Sequence, residues 1–382
     1  MNTFDVAVVG AGLAGLQLAR RVAGQGLRVV LIDGKASLTS GIHTTGIFVR
    51  KTWEDFPLPD EQLGRAIREV VLYSPRRRSL HLTADHDEFR VGRMGWIYLY
   101  LLEQCSRAGV QWVPSSRLVE IEEDGSASVL VVERRGTRER IRARYVVGAD
   151  GARSAVARQL GLDTNQEMLT GVEEVVPSRT NTPVMHCFLD PRLAPGYIAW
   201  VVDDGEEAHV GVAGCRAGWD ANAALSAFRA SVGPLAGGRV IERRGGLIPV
   251  GGTLRRIADA RGLLVGDAAG AVSPLTAGGL DGAMRLSTYA ANVIAEYLNS
   301  GEAAVLQAYS GDRFRARFLT RRWMRQAIRA MSHPLPMELA CALLRTPMLR
   351  GLASHVFFAR RSFPDMAPLP QRRLDSELVI SD

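Results

Sequence analysis

The start of the chain constrains its fold more than any other stretch, because a short apolar run there leads directly into three glycines. Phe4 to Val9 predicts a strand buried on both faces in a parallel sheet. Gly10, Gly12 and Gly15 follow in G-x-G-x-x-G spacing. The first permits a tight turn, the second lets the backbone approach a pyrophosphate, and the third lets the next helix pack close to the strand. The spacing therefore predicts a phosphate site at a helix N-terminus, where free N–H groups favour negative charge.

A second strand supports this interpretation because it ends in an acid. After the predicted helix, RVVLID predicts a strand from Arg28 to Asp33. Asp33 lies 18 residues after Gly15, where a carboxylate can accept hydrogen bonds from an adenosine ribose. Strand, loop, helix, strand and acid in this order predict dinucleotide binding. This part of the sequence permits either NAD or FAD.

Length and composition limit the architecture. The chain has 382 residues, which is too long for one ordinary core and predicts two domains with room for a helical tail. Hydrophobic residues make up 47% and charged residues 23%, the proportions of a soluble globular protein. No apolar run approaches the length of about 18 residues that a membrane-spanning helix needs. The chain enters its first strand without room for a signal peptide, so a cytoplasmic protein is expected.

Cysteine spacing and charge distribution argue against several classes of protein. The four cysteines are scattered and form no C-x-x-C pair, so no disulfide framework, metal site or dithiol centre is predicted. The net charge is +7, but 13 arginines against 7 acids from Gly301 onward put about 6 of that excess in the tail. A nucleic-acid partner is therefore not expected, and the oligomeric state stays open.

A glycine beside a carboxylate recurs at two later strand ends. RYVVGADGARS carries a predicted strand into Asp150 and Gly151. RGLLVGDAAG carries another strand into Gly266 and Asp267, and a long helix starts near Gly279. Loops at the carboxyl ends of strands in a doubly wound sheet face the ligand crevice, so all three transitions are expected to meet there.

The remaining segments predict a second sheet. EVVLYSP and SLHLTA predict a hairpin, and alternating runs between residues 168 and 250 predict antiparallel strands without a phosphate loop. The predicted fold class is α/β, with a Rossmann-like, doubly wound nucleotide-binding domain, an antiparallel-sheet substrate domain and a C-terminal helical region. The nucleotide-binding domain is predicted to comprise residues 1–55, 85–165 and 251–300. The substrate domain is predicted to comprise residues 56–84 and 166–250, and the C-terminal region residues 301–382.

The three motifs read VVGAGLAG with Asp33, GADGARSAVARQLGL and LLVGDAAGAVSPLTAGGLDGAM. Together, over roughly residues 1 to 300, they resemble a group of flavoproteins that includes aromatic hydroxylases, tryptophan halogenases and geranylgeranyl reductases. The resemblance implies FAD: the first motif binds its pyrophosphate, the second lies near FAD and the nicotinamide donor, and the third presents Asp267 to the ribityl chain. The cofactor-binding residues implied in this way are Gly10, Gly12, Gly15, Asp33, Arg93, Asp150, Gly151, Gly266, Asp267, Pro274, Gly278 and Gly279.

Three of these assignments have a physical reason or an alternative of their own. The N–H groups of Gly278 and Gly279, at the start of a helix, would face the pyrimidine side of the flavin and stabilise the negative charge that collects there on reduction. Arg93, in FRVGRMG, resembles the arginine of the group that contacts the cofactor. Its alternative is an ordinary salt bridge, and for Asp150 the alternative is a local turn cap.

Within the group, the sequence is most similar to the geranylgeranyl reductases, through GDAAGAVSPLTAGGLDGAM and APGYIAWVV. Such reductases carry a Tyr and a Trp near the substrate, which implies this role for Tyr197 and Trp200. The sequence departs from their pattern, because Val202-Asp203 stands where Phe-Pro is expected and an extra residue separates the two aromatics. The alternative is that both aromatics are sheet core.

The loop GIHTTG, after Asp33, supplies a further catalytic candidate. Some archaeal reductases place a cysteine there, and this chain has none nearby. His43 could donate a proton after hydride addition, since its pKa suits neutral pH. A solvated or structural loop histidine is the alternative.

Missing motifs narrow the chemistry. The W-x-W-x-I-P stretch of halogenases is absent, and Lys35 and Lys51 are the only lysines. No second G-x-G-x-x-G follows a strand, so NAD(P)H is expected to bind transiently over the same crevice, unless electrons arrive from another protein.

The tail between residues 312 and 333 interleaves apolar residues with arginines. Such a helix could lie on an anionic membrane, peripheral to its inner face, or could pack on the core with a solvated basic face.

Taken together, the sequence predicts an FAD-dependent oxidoreductase that reduces carbon–carbon double bonds of a hydrophobic, isoprenoid-like substrate. The alternative is a monooxygenase acting on an aromatic or polyketide-like substrate. A non-catalytic flavin or lipid carrier is the minor alternative.

Overall fold

A computed structural model describes residues 3–215, 217–315 and 318–358. The strands are β1 Thr3–Val9, β2 Val29–Ile32, β3 Ile47–Val49, β4 Glu69–Tyr73, β5 Ser79–Thr83, β6 Phe89–Val91, β7 Gln111–Val113, β8 Ser116–Asp124, β9 Ala127–Arg134, β10 Thr137–Gly148, β11 Met168–Pro177, β12 Val184–Phe188, β13 Ala199–Asp203, β14 Glu207–Gly214, β15 Glu242–Pro249 and β16 Gly262–Leu264.

The helices are α1 Leu13–Ala23, α2 Arg50–Asp55, α3 Met94–Arg107, α4 Ala155–Leu160, α5 Ala221–Ser231, α6 Gly233–Ala236, α7 Leu280–Ser300, α8 Gly311–Arg315, α9 Leu319–Ala330, α10 Pro334–Leu344 and α11 Pro347–Phe357. Short 3₁₀ helices span Asp60–Gln62, Gly266–Ala269 and Ala303–Tyr309.

The first sheet is built around β1, whose inner residues are apolar and buried on both faces. Its strand order is β7-β2-β1-β10-β9-β8, with β16 paired to β10. The strands β7, β2, β1, β10 and β16 run parallel, while β8 and β9 add an antiparallel layer to β10. The parallel part with its covering helices confirms the predicted doubly wound α/β fold.

The helices α1 and α7 pack together beside this sheet. Gly15 explains how closely α1 approaches β1, because a Cβ at this position would lie 1.8 Å from the carbonyl oxygen of Gly10. Gly10 itself has a φ of 105°, in the region that favours glycine. The tight turn and the close helix therefore both depend on the absence of a side chain.

The second sheet has the order β15-β11-β14-β13-β12-β4-β5. The strands β4 and β5 pair antiparallel, which confirms the predicted hairpin, and β4 joins β12 in parallel. The other pairs in this sheet are antiparallel. The strands of this sheet thus come from residues 69–83 and 168–249. One face of it turns toward the ends of the first sheet's parallel strands.

The C-terminal region is helical as far as the structure describes it. The segment 312–333, interpreted from the sequence as one amphipathic helix, contains most of α8 and all of α9, and residues 316 and 317 between them lie outside the described residues. Phe314 and Phe318 are buried in the core of the first sheet, so this part of the segment packs on the protein. The remainder of the predicted C-terminal region, residues 359–382, lies outside the described residues. In the described part, every helix is too short or too polar to cross a membrane.

Candidate functional site

A cavity of about 840 Å³ lies between the carboxyl ends of the parallel strands and one face of the second sheet. It begins at the loop between β1 and α1, passes the loop between β2 and β3, and continues to α9, α10 and α11. Its volume is in the upper part of the range for small-molecule sites, roughly 300–1,000 Å³. One continuous space therefore joins the three glycine and carboxylate motifs to the C-terminal helices.

The N-terminus of α1 opens directly into this cavity. The residues from Gly10 to Ala14 line it. A Cβ added at Gly12 would have no heavy atom within 4 Å, so the backbone there faces open space. The first N–H groups of a helix attract anions, which makes this wall suitable for a pyrophosphate. Gly15 is not part of the lining; it has the packing role described above.

Asp33 lies at the end of β2 and also lines the cavity. Its carboxylate accepts hydrogen bonds from the N–H groups of Ala11 and Lys35, both at 2.7 Å. The aspartate thereby connects the second strand to the phosphate loop. Its predicted contact with a ribose remains a prediction.

Asp150 and Gly151, after β10, line the same cavity. The Asp150 carboxylate accepts hydrogen bonds from the N–H of Ala155 at 2.6 Å and from the N–H of Val156 at 3.1 Å. It therefore caps the start of α4, which is the local cap that the sequence offered as the alternative role. Its Oδ1 is nonetheless buried without a hydrogen-bond partner in the described structure. Burial raises the pKa of Asp150. An unsatisfied buried oxygen at a cavity wall is the kind of atom that a bound hydroxyl or N–H group would satisfy.

Asp267, after β16, is the third motif carboxylate that lines the cavity. None of the described residues donates a hydrogen bond to its side chain, and burial raises its pKa to about 6. Gly266, Gly278 and Gly279 line the cavity beside it, and Gly279 is the residue that precedes α7. Pro274 is buried but lies outside the lining, near Gly252, so a direct cofactor contact is not expected for it.

Arg93 is not among the residues that line the cavity. Its guanidinium contacts Asp204, Glu206 at 3.0 Å and Glu207 at 3.3 Å. These three carboxylates belong to the turn after β13 and to the first residue of β14. The structure thus has the salt bridges of the alternative, and the predicted contact of Arg93 with the cofactor stays a prediction.

The predicted catalytic candidates all line the cavity beyond the dinucleotide loops. His43 is exposed, and its Nδ1 donates a hydrogen bond to the carbonyl oxygen of Gly245 at 2.8 Å. Only Nε2 is then available for a ligand. Tyr197 is buried in an apolar cluster with Leu169 and Ala213, which raises the pKa of its phenol.

Trp200 reaches across the second sheet because Gly211, its partner on β14, has no side chain. A Cβ at Gly211 would lie 2.2 Å from the indole ring. The indole Nε1 donates a hydrogen bond to Oε2 of Glu173 at 3.0 Å. Trp200 is therefore more than apolar filling of the sheet, since its polar edge has a defined partner.

Glu173 is the site residue that the sequence reasoning missed. It lines the cavity and is 4% exposed. Its carboxylate accepts hydrogen bonds from Thr45 and Trp200, contacts His209, and lies 3.8 Å from Arg244. Burial alone would raise its pKa, but His209, Thr45 and Arg244 hold the pKa below its ordinary value. Two adjacent acids inside the apolar strand MLTGVEEVVP were the available signal.

The far end of the cavity is apolar. The C-terminal helices contribute Met324, Ile328, Leu344, Leu352, Ala353, Val356 and Phe357 to its wall. Leu352 is also 45% exposed, so the cavity reaches the protein surface beside this residue.

The donor set fits FAD. Backbone N–H groups at a helix start suit its pyrophosphate, and the unsatisfied oxygens of Asp150 and Asp267 suit its hydroxyl groups. When bound, FAD supplies hydride or oxygen chemistry, while the protein supplies binding and orientation. The fold and this site together define an FAD-dependent oxidoreductase.

Comparison with known proteins agrees with this class. The chain belongs to the lycopene cyclase protein family, whose model matches residues 5–195 and 221–344. A digeranylgeranylglycerophospholipid reductase from Methanocella arvoryzae is 27% identical over 324 residues, which cover 81% of this chain and 83% of the relative. This similarity confirms the resemblance to geranylgeranyl reductases.

Solved structures confirm the fold. A geranylgeranyl bacteriochlorophyll reductase-like protein from Thermoplasma acidophilum superimposes with a TM-score of 0.84 at 21% identity, covering 94% of this chain and 96% of its own. A p-nitrophenol 4-monooxygenase from Pseudomonas putida superimposes with a TM-score of 0.66 at 18% identity, covering 94% of each chain. Reductases and monooxygenases thus share this architecture, and the choice between them depends on the site.

Proposed function

We propose that this enzyme reduces carbon–carbon double bonds of a membrane lipid with isoprenoid chains, using hydride from FAD that a nicotinamide dinucleotide has reduced. The observation that carries the proposal is the continuous cavity. It extends from the phosphate loop to an apolar wall formed by α9, α10 and α11. A long apolar chain can occupy the far end while one of its double bonds lies near the flavin.

The relatives support the substrate class. The name digeranylgeranylglycerophospholipid reductase states that those proteins act on a lipid with geranylgeranyl chains. The cavity of this chain has room and apolar surface for such chains, and Leu352 marks an opening through which the lipid could enter.

The residues are assigned as follows. FAD is held by Gly10, Gly12, Asp33, Asp150, Gly151, Gly266, Asp267, Gly278 and Gly279. Tyr197 and Trp200 form the wall beside the reacting double bond. His43 is one candidate for the proton donor, through Nε2, and Glu173 is the other. NAD(P)H reduces FAD by approaching from the open side of the same crevice, because the described chain has a single dinucleotide loop of the α1 type.

Monooxygenation is the second candidate, favoured by the structural likeness to a p-nitrophenol 4-monooxygenase. A small polar pocket would be expected for a phenolic substrate. The apolar wall at α10 and α11 is longer than such a substrate needs, so we rank this activity second.

One experiment separates the activities by the mass of the product. The purified protein is loaded with FAD, reduced anaerobically with NADH or NADPH, and mixed with a geranylgeranyl glycerophospholipid in mixed micelles. We expect a product heavier by two hydrogens for each reduced double bond. An unchanged mass with a new retention time would indicate cyclisation. Added oxygen in the product of a parallel reaction run in air would indicate monooxygenation. Either result would overturn the proposal.

We further propose that the C-terminal helices dock on an anionic membrane surface, where the lipid substrate resides. Between Gly311 and Phe358 the sequence has nine arginines and two acids. The apolar side chains exposed on α9, α10 and α11, which we call the docking face, are Leu319, Trp323, Leu335, Leu339, Leu343, Met348 and Leu352. Apolar side chains among arginines match the acyl and phosphate layers of such a membrane, and the cavity opens within this face.

Vesicle binding tests this docking. We expect the double variant W323Q/M348Q to bind vesicles of phosphatidylglycerol and phosphatidylcholine at least about tenfold more weakly than the parent, because two large exposed apolar side chains are lost. Trp96 is 61% exposed on α3, so W96Q is the matched control and should bind normally. Equal binding of all three proteins, or loss in the control alone, would contradict the docking.

A further inference from the structure

We propose that Glu207, His209 and Glu173 form a path that carries a proton from the protein surface to the cavity for the reduction. This inference rests on the proposed function, because only a reduction that consumes a proton requires such a path. Reduction of a double bond breaks its π bond and forms two C–H bonds. The hydride comes from reduced FAD, which is thereby oxidised, and the nicotinamide donor is oxidised when it reduces FAD again. The proton must come from the protein or water.

The cavity end of the path is Glu173. Its Oε2 accepts hydrogen bonds from the Thr45 hydroxyl and from the Trp200 indole at 3.0 Å, and all three side chains line the cavity. These two contacts, one from a loop beside the flavin site and one from β13, fix the carboxylate at the wall where the double bond would lie. Glu173 therefore has the position of a proton donor to the substrate.

The middle of the path is His209, which is 0% exposed. Its Nδ1 lies 3.1 Å from Oε1 of Glu173. Its Nε2 is buried without a hydrogen-bond partner in the described structure and lies 4.0 Å from Oε2 of Glu207. The imidazole thus has one carboxylate at each nitrogen. A ring that can accept a proton at one nitrogen and release one at the other is suited to pass protons between them.

The surface end of the path is Glu207. Its side chain is 26% exposed, and Arg93 lies 3.3 Å from its carboxylate. At the other end, Arg244 lies 3.8 Å from Glu173. Among the described residues, these two arginines are the ones that lie within 4 Å of the two carboxylates of the path. A carboxylate that water can reach is able to take up the next proton from solvent.

The neighbouring Glu174 shows what a purely structural carboxylate looks like in the same strand. It is 4% exposed, as Glu173 is, but it does not line the cavity. Its carboxylate is paired with Arg229 and with Arg243 at 2.7 Å. Arginine keeps its proton at all accessible pH values, whereas histidine exchanges one near neutral pH. The histidine partner is thus the feature that distinguishes Glu173 from Glu174.

The order of transfers follows from the charges. The resting Glu173 is ionised, so Glu207 first takes a proton from water and passes it to Nε2 of His209. The ring then releases its other proton from Nδ1 to Oε1 of Glu173, and Glu173 gives a proton to the carbon that does not receive hydride. One proton has then passed from water to the product and both carboxylates are ionised again, while the ring is left with its proton at Nε2 and has to return it to Nδ1 before the next turnover.

Single-turnover kinetics test the path. We expect E173Q and H209Q to lower the rate of double-bond reduction by reduced enzyme by roughly 10²-fold or more, while FAD reduction by the nicotinamide donor stays unchanged. E207Q should show a smaller loss that E207D recovers in part. The control is E174Q, which should keep the parent's rate, and its melting temperature shows how much a lost buried carboxylate costs the fold. Rates equal to the parent's in E173Q, H209Q and E207Q would overturn the path while leaving the proposed function intact.

A measurement without substrate or FAD distinguishes a path from a rigid salt bridge. Nitrogen-15 NMR of the apoprotein, with H209Q identifying the His209 signal, gives the rate at which its ring proton exchanges with water. We expect E207Q to slow this exchange several-fold and E174Q to leave it unchanged. An exchange rate that is the same in E207Q and the parent would show that protons do not pass through Glu207. If the parent reduces no isoprenoid lipid at all, the proposed function fails, and the exchange measurement still reports on the path.

Discussion

The two ends of the cavity are built in different ways. At the dinucleotide end, loops at the edge of the parallel sheet present backbone N–H groups, glycines and carboxylates, each from one short motif. At the far end, side chains from the face of the second sheet and from α9, α10 and α11 form the wall. The partners there are distant in the sequence, as Thr45 and Glu173 are, 128 residues apart.

This difference follows from what each end has to bind. A cofactor of fixed shape is recognised by atoms whose positions the backbone determines. An added methyl group that overlaps the cofactor therefore lowers the binding affinity strongly. An apolar chain needs only apolar surface of sufficient length, with a few polar groups at the reacting bond. Substitutions at the dinucleotide end should therefore have large effects on FAD, and substitutions at the far end smaller effects on substrate choice.

The largest expected effect comes from the glycines of the phosphate loop. G12A should weaken FAD binding by about 100-fold, equivalent to about 3 kcal/mol, because its methyl group would project into the space where the pyrophosphate lies. The unfolding of the apoprotein should not change, since no heavy atom lies within 4 Å of that methyl group. In G15A, the methyl group would lie 1.8 Å from the carbonyl oxygen of Gly10. We expect that variant to lose about 1–3 kcal/mol of stability as well.

Fluorescence titration with FAD and thermal unfolding of both apoproteins separate the two effects. G233A is the control, because Gly233 also has open space around its Cβ position, has no positive φ and lies away from the cavity. FAD affinity in G12A equal to that in G233A would remove the phosphate site from the proposal.

The next effect concerns Asp267, whose burial raises its pKa from 3.8 to about 6. Native apoprotein holds this proton at pH values where the unfolded chain has lost it. The free energy of unfolding should therefore fall as pH rises from about 4 to about 6. D267N lacks this fall and should be about 1–2 kcal/mol more stable than the parent above pH 6.

The same variant should bind FAD about tenfold more weakly, since a charged acceptor for hydroxyl groups is lost. Urea unfolding of both apoproteins between pH 4 and pH 8, with FAD titration at pH 8, measures both quantities. A variant that is less stable than the parent at pH 8 would mean that Asp267 has a structural partner, contrary to the geometry.

A smaller effect is expected at the apolar end, where Ala353 of α11 is 5% exposed and lines the cavity. A353W would shorten the space for the lipid chain. We expect KM for a geranylgeranyl lipid to rise about tenfold, or roughly 1.4 kcal/mol, while a geranyl analogue is reduced as before. The exposed Ala342 of α10 is the matched position, and A342W should leave both substrates unchanged. An equal rise in KM for the long and the short substrate in A353W would show that α11 does not limit the length of the lipid chain that the cavity accepts.

The smallest effect is expected for His43, whose Nδ1 is engaged by the carbonyl of Gly245. If Glu173 delivers the proton, H43Q should change kcat for lipid reduction by less than about threefold and leave its pH profile in place, because Gln can donate the same hydrogen bond. A loss of about 100-fold with a lost pH dependence would instead identify His43 as the donor. The pH profiles of H43Q and E173Q, measured side by side, decide between them.

The sequence was sufficient for the doubly wound fold and for most of the dinucleotide end. Gly10, Gly12, Asp33, Asp150 and Asp267 could be found because each lies at the end of a predicted strand. Parallel strands bring their ends to one edge of the sheet whatever the details of packing. The three carboxylate partners of Arg93 could not be predicted, because nothing local in FRVGRMG reveals the segment after β13 that contacts it.

The sequence by itself thus determined the class of protein and the loops that line the dinucleotide end of the cavity, because a strand, a glycine turn and a helix have geometry that a few neighbouring residues specify. Only the tertiary structure decided that Glu173 meets Thr45, Trp200 and His209, and that the C-terminal helices line the far end of the cavity. Those contacts depend on strand register and on the packing of segments far apart in the chain. The residues next to a given position in the sequence specify neither the strand register nor this packing.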